Sequence, residues 1–200
     1  MAEVNVVLRD ALPPHTARLT TRAVQGSLRY GFAIMQAGEA HFDVSRADAN
    51  VLAHPAYFDH GVMVTLERGD RRFPWAGFVT DIVTSKRSPV AQFTCKDAAG
   101  AILPRARGPK GWPSATVSAG QHVERIFADA DARGAPPLLV RFREGSGGLQ
   151  GPAVAYTPEG EPLLRALDTL AKAAGYEWAI EPSVSEAGVT FYLRWAERNI

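Results

Sequence analysis

Two hundred residues accommodate one large domain or two small ones, and a hydrophobic fraction of 46% with 22% charged residues is ordinary for a globular chain. Twenty-two Lys and Arg against 21 Asp and Glu leave a formal charge of +1, so no basic field draws nucleic acid and no acidic excess marks a disordered tail. The lone Cys95 rules out a disulfide framework and nearly rules out a cysteine-based zinc site. No apolar run approaches the roughly 18 residues that a membrane-spanning helix needs. The N-terminal stretch MAEVNVVLRDALPP has no basic leader ahead of an apolar run, so it does not read as a signal peptide, and the expectation is a chain assembled in the cytosol.

Taken in chain order, Val4–Arg9 is a short apolar strand stopped by Pro13 and Pro14. Ala17–Val24 alternates Leu19, Thr21 and Ala23 against Arg18, Thr20 and Arg22, and a short apolar run, Tyr30–Met35, precedes Gly38. Ala40–Val44 alternates small or apolar with polar residues, and Ala47–Leu52 reads as a short helix or loop. Gly61–Glu67 sets Val62, Val64 and Leu66 against Met63, Thr65 and Glu67; then an Arg-Gly-Asp turn leads into Trp75–Val83. That last run places Trp75, Gly77, Val79, Asp81 and Val83 on one face. Period-two alternation broken by such a turn signals a hairpin. With Ala91–Lys96, the first hundred residues hold about seven strand-like runs at the spacing of a sandwich or barrel.

The pattern changes after Gly100. Leu103–Pro113, rich in Pro, Gly and Arg, reads as a linker. Ser118 with Gln121 three residues on forms a capping box for a helix bearing Val123, Ile126, Phe127 and Ala130, closed by Gly134 before Pro136 and Pro137. Leu138–Arg143 is a strand and Glu144–Pro152 a Gly/Ser loop. A second helix over Glu161–Ala174, with Pro162 confined to its first turn, carries the stripe Leu163, Leu164, Leu167, Leu170, Ala171 and Ala174 and ends at Gly175. Two strands follow, Tyr176–Glu181 and Gly188–Trp195. The expected fold class is mainly β with an α+β second half: a first domain over 1–103, a linker over 104–117 and a second domain over 118–200 whose helices bury their stripes on its sheet.

Catalytic chemistry has little to build on. Ser146 lies in a Gly-rich loop without the strand and helix of a nucleophile elbow. Neither Gly108–Ser114 nor Gly145–Gly151 matches a phosphate-binding loop. His41, Asp43, Asp48, His54, Asp59 and His60 are metal-ligand types within twenty positions, but their spacing is not that of a metal motif; only His41 and Asp43 share a strand face. Arg68, Arg71, Arg72, Lys86 and Arg87 lie at hairpin tips, where solvated turns or contacts to a neighbouring subunit explain them. Trp75, Phe78, Trp112, Tyr156, Trp178, Phe191 and Trp195 are not interleaved with basic residues as on single-strand stacking platforms, and most read as core. No catalytic, cofactor-binding or metal residue is assigned, and no enzyme activity or cofactor is expected.

The order of these blocks resembles the phage tail baseplate hub, or late-control-D-like, tail-tip proteins. The carriers are the acidic segment Asp43-Val44-Ser45-Arg46-Ala47-Asp48; the hairpin with Gly61, Val64, Leu66, Trp75, Gly77 and Val79; the step from Asp97 to Leu103; and a second helix with Leu167, Leu170, Ala171, Gly175 and Tyr176 before a final β-pair. Each motif is degenerate, and their order over residues 25–196 is what carries the likeness. The resemblance implies two related β-barrel domains, the second with two helices, and a structural role: a ring, of three copies or alternatively six, joining the sixfold tail tube to a threefold tip. Implied partners are other copies of the chain, the tail tube or distal tail protein, the tape measure and tail-tip or fibre proteins, with no membrane and no specific nucleic acid; the implied place is the tail tip of a virion assembled in host cytoplasm. Larger members of the group continue well past the second barrel, so a chain ending at Ile200 fits a tip whose next component is a separate protein. A receptor- or carbohydrate-binding β-sandwich of a tail is the alternative, and a cell-wall hydrolase a more distant one.

Overall fold

Alternating apolar residues build the first half of the chain into a single antiparallel sheet. The computed structural model describes residues 4–11, 16–51, 62–68, 74–85, 87–134, 140–142, 148–185 and 187–198. Strands β1 (Val4–Asp10), β2 (Ala17–Arg22), β3 (Arg29–Tyr30), β4 (Glu39–Ser45), β5 (Val62–Arg68), β6 (Trp75–Thr84) and β7 (Val90–Lys96) pair in the order β2-β1-β5-β6-β7-β4-β3. Helix α1 (Arg46–Val51) follows β4, and the single turn α2 (Ala98–Ala101) follows β7.

The inward residues of each strand meet in one core: Val6 and Leu8, Phe42 and Val44, Val64 and Leu66, Trp75, Phe93 and Cys95. Phe42 and Phe93 stand opposite each other in register and stack with ring centroids 5.3 Å apart. Such cross-strand aromatic pairs are the sheet's unit of stabilisation.

One irregularity reassigns a face. The β6–β7 register skips Thr80 between Val79, opposite Cys95, and Asp81, opposite Thr94. This bulge shifts the alternation by one residue. Trp75, Gly77 and Val79 oppose core residues Leu66, Val64 and Cys95, whereas beyond the bulge it is Ile82 that opposes Phe93. Val83, which strict alternation puts beside Trp75, lies on the opposite face and is 52% exposed.

The second half comprises β8 (Ala115–Ser118), α3 (Ala119–Ala132), β9 (Val140–Phe142), β10 (Ala153–Tyr156), α4 (Leu163–Ala174), β11 (Tyr176–Ser185) and β12 (Gly188–Glu197). β10 pairs antiparallel with β8, and a second sheet runs β11-β12-β9, with β9 parallel to β12. The capping box of Ser118 and Gln121 starts α3, and Gly134, at φ +67°, follows its last turn. Pro162 is the N-cap of α4, where its missing N–H costs nothing, and Gly175 closes that helix in the left-handed conformation. α3 buries Val123, Ile126, Phe127 and Ala130; α4 buries Leu163, Ala166, Leu167, Leu170 and Ala171. The two helices pack on each other and on the β8–β10 pair, and the Trp178 indole of β11 donates to Asp168 Oδ1 of α4 at 2.8 Å.

The fold class is as expected: mostly β, with the longer helices in the second half. No closed barrel forms among the described residues. In the first sheet β2 and β3 are the two ends, and β3, only two residues long, pairs with β4 alone among the described residues. Single bonds tie the stretch after β2 to β4: Val24 N–H donates to Asp43 O at 2.8 Å, and Asp43 N–H to Ser27 Oγ at 3.0 Å. In the second half the strands divide between two separate small sheets.

The chain divides into two compact units that interleave in sequence. One holds residues 1–32, 37–101 and 182–190; the other holds 33–36, 102–181 and 191–200. Within the second, much of the stretch read as a linker is tied down: Gly108 N–H donates to Glu161 O at 2.8 Å, Gly160 N–H to Pro109 O at 2.9 Å, and Leu163 N–H to Ala106 O at 2.9 Å. β8 takes up the end of it.

Candidate functional site

The acidic segment, which spans the end of β4 and the start of α1, braces the first unit. The Ser45 hydroxyl accepts Asp48 N–H at 3.2 Å, capping α1, and the Asp48 carboxylate accepts the Thr21 hydroxyl of β2 at 2.6 Å. A carboxylate in the first helical turn is also favoured by the helix dipole. Arg46 N–H donates to Pro89 O at 2.8 Å and its guanidinium to Ser85 O at 3.1 Å, so α1 holds the turn between β6 and β7.

His41 and Asp43 do share the outward face of β4, as alternation predicts. His41 makes surface contacts there: Nε2 lies 3.5 Å from Glu39 Oε2 and Nδ1 lies 3.4 Å from Thr94 Oγ1, while Lys96 Nζ stands 3.7 Å from the same Glu39 carboxylate. Among the described residues no three His, Cys, Asp or Glu side chains converge as metal ligands. His54, Asp59, His60, Arg71, Arg72, Lys86 and Ser146 lie outside the described residues. Arg68 ends β5, and Arg87 is exposed in the turn before β7.

Asp97, which the sequence marks only as the start of the step to Leu103, is a buried carboxylate. It is 8% exposed and sits between β7 and α2. Oδ1 accepts Gly100 N–H at 2.9 Å and Oδ2 accepts Gly38 N–H at 2.7 Å. Burial raises its pKa above the usual aspartate value; hydrogen bonds from the Gly100, Gly38 and Ala99 N–H groups oppose that shift, and the nearby Glu39 charge adds to it. The native chain therefore holds this proton more tightly than the unfolded chain. Asp97's own contribution to stability is fully present at acid pH and declines as pH rises through the raised pKa. The sequence signal was available in outline, since Asp ahead of Ala-Ala-Gly is an N-cap pattern.

A second polar tie crosses α3. Glu124 Oε1 accepts Leu149 N–H at 2.6 Å, and Ala119 N–H donates to Pro152 O at 2.9 Å. A Cβ on Gly120 would collide with the Leu149 carbonyl, so glycine lets this segment lie directly on the helix. His122 is buried on the same helix; its Nε2 lies 3.1 Å from Val154 O, and the Tyr156 ring meets it edge-on with centroids 5.5 Å apart. The Tyr156 hydroxyl in turn donates to Glu161 Oε1. Apart from Tyr156, which the sequence marks only as one of its aromatics, Gly120, His122 and Glu124 were not singled out by sequence because each is one position on an otherwise amphipathic helix.

Of the aromatics, Trp75, Trp178 and Phe191 are fully buried, while Phe78, Trp112, Tyr156 and Trp195 are half-buried. Arg125 lies over the Trp112 ring at 5.3 Å, and the Trp195 indole donates to Gln150 O at 2.8 Å. Cys95 is fully buried, and burial pushes its thiol pKa from an ordinary 9.0 up to about 12. Between pH 9 and 12 the thiol ionises only in the unfolded chain, so its contribution to stability is lost as pH rises across that window. At neutral pH, native protein should resist iodoacetamide and react fully once unfolded in guanidinium, as mass spectrometry would show; rapid labelling of the native chain would place Cys95 at the surface.

No protein-family model matches the sequence, and no curated protein matches it. Solved structures do match in fold. A tail protein from Neisseria meningitidis aligns at TM-score 0.55 and 16% identity, over 96% of this chain and 50% of that one. An Escherichia coli protein described as a component of the type VI secretion system, with structural similarity to the T4 bacteriophage tail proteins gp27 and gp5, aligns at TM-score 0.52 and 13% identity, over 86% and 47%. A chain of the Francisella PdpA–VgrG complex aligns at TM-score 0.52 and 11% identity, over 96% and 28%. The present chain thus spans about half the length of the first two or less. It has the fold of the phage tail and type VI tail-tip structures, so the resemblance seen in the order of its motifs holds at the level of fold.

Proposed function

We propose that the chain is a structural tail-tip protein of a phage or phage-like particle, a baseplate hub whose copies form a ring between the tail tube and the tip. The observation that supports this reading most is that the fold of a tail protein matches across 96% of the chain, through both compact units. The polar clusters fit the reading, since those described in detail serve as caps and braces within each unit. On this reading the ring holds three copies, with six as the alternative, and each copy contributes one domain over 1–103 and one over 118–200. Its partners are the tail tube or distal tail protein, the tape measure and the tip or fibre proteins, and it resides at the tail tip of the virion. A ring closes through heterologous contacts repeated around its axis.

The test is the assembled particle, because the isolated chain need not assemble alone. Cryo-electron microscopy of purified tails, with quantitative mass spectrometry, should find the chain at the tip in three or six copies. A single copy per tail, or density away from the tip ring, would overturn the reading.

A further inference from the structure

Two of the places where the chain passes between its compact units fall at 36/37 and 101/102. Gly38 is the second residue inside the first crossing, and Gly100 the second residue before the other. Asp97 holds both: its two carboxylate oxygens accept Gly38 N–H at 2.7 Å and Gly100 N–H at 2.9 Å. Its backbone joins the same two segments, with Asp97 N–H donating to Gly38 O at 2.9 Å and Asp97 O accepting Ala101 N–H at 2.8 Å. The segments also touch directly. A Cβ on Gly100 would come within 2.7 Å of Ala37 Cβ, and one on Gly38 within 2.7 Å of Asp97 Oδ2 and 2.8 Å of Gly31 O. Glycine is required at both positions by this close approach.

The far side of each crossing is anchored almost at once. Met35 N–H donates to Trp178 O at 2.8 Å, and Leu103 O accepts Leu164 N–H at 3.3 Å, both within the second unit. Only residues 36–37 and 102 separate those anchors from the Asp97 cluster. A buried carboxylate whose desolvation outweighs its hydrogen bonds is a poor source of stability but a precise positional device, because it holds the Gly38 amide, 59 residues away in the chain, beside its own segment.

We propose that Asp97 is a latch: one carboxylate that pins, side by side, the two segments at which the stretch 37–101 of the first unit begins and ends. The inference is independent of the tail-tip reading. Asp97 acts as a positioning residue, with Gly38 as the arm that distinguishes a latch from a simple helix cap.

Native-state hydrogen exchange on the full chain tests it, with Asp97→Ser, Asp97→Ala and Asp97→Asn. Serine still caps Gly100, three residues on, but is too short to reach Gly38. Asp97→Ser should therefore speed exchange at Gly38 by about tenfold or more while Gly100 stays within about threefold of wild type; Asp97→Ala should speed both. Amides of Phe42 and Phe93 in the core strands should keep their protection, and limited proteolysis should gain cuts within 31–38. Unchanged exchange at Gly38 in Asp97→Ser, or equal acceleration at Gly38, Gly100 and Phe93, would overturn the latch. If Asp97→Ala does not fold, Asp97→Asn decides the same point. Asparagine keeps the side chain's shape with one acceptor in place of two, so one of the two glycine amides should lose protection, and retention of both would refute the proposal.

Discussion

Replacing Gly77 with valine should cost the first unit about 3 kcal/mol or more, the upper end of what overpacking a core costs. Gly77 is buried near the start of β6, opposite Val64. The Trp75 ring and the Lys96 carbonyl both lie against it, and a Cβ at this position would overlap both. Trp75 is 1% exposed and is among the largest fully buried side chains, so it has no free space to move into. Nor can the Lys96 carbonyl withdraw freely, because Lys96 pairs with both Phe78 of β6 and Glu39 of β4. Valine would expel the indole from the core or split the β6–β7 ladder. Equilibrium urea unfolding, read by hydrogen exchange at Phe42 and Phe93, measures the loss. A stability within about 0.5 kcal/mol of wild type would show that the indole does not rest on Gly77.

Leu167→Ala should cost about 2–5 kcal/mol in the second unit, the transfer of a buried side chain plus the cavity it leaves. Leu167 is 1% exposed at the centre of the α4 stripe, flanked by Leu163, Ala166, Leu170 and Ala171. The α3 stripe of Val123, Ile126 and Phe127 is buried as well, and the two helices pack together, so the void would lie between rigid elements that collapse poorly. Thr169→Ala, on the outward face of the same helix, is the control and should stay within about 0.5 kcal/mol. Denaturant titration read by hydrogen exchange at the Leu170 and Trp178 amides reports both variants, because the Trp178 indole is hydrogen-bonded to α4 through Asp168. A loss well under 1 kcal/mol for Leu167→Ala would mean that the stripe is not a core face.

Elements specified by local chemistry were legible in the sequence. Strands β4 and β5 follow from period-two alternation, β1 and β7 from short strand-like runs, and α3 and α4 from apolar spacing framed by the Ser118–Gln121 box, Pro162 and Gly175. The need for glycine at position 77 was also readable, since a lone glycine within a strongly apolar strand marks close approach. Of the metal-type residues, the sequence placed His41 and Asp43 on one face, and the structure surrounds that face with Glu39, Thr94 and Lys96.

Tertiary structure decided what periodicity cannot encode. The bulge at Thr80 depends on how β6 meets β7, and it moves Val83 away from the face that simple alternation gives it. β8 and β10 are short and half-exposed, so their ladder lacks an apolar signature, and β9 joins β12 through a parallel pairing that no turn announces. Most of all, the chain's own order gives no hint that residues 33–36 belong with the second unit and 182–190 with the first, or that Asp97 reaches Gly38 across 59 residues. Local patterning selects strand or helix because each buries one face at its own period. The choice of neighbours rests on close backbone approach and on burial of polar groups that only a long-range partner can satisfy, and those conditions exist only once the chain has folded.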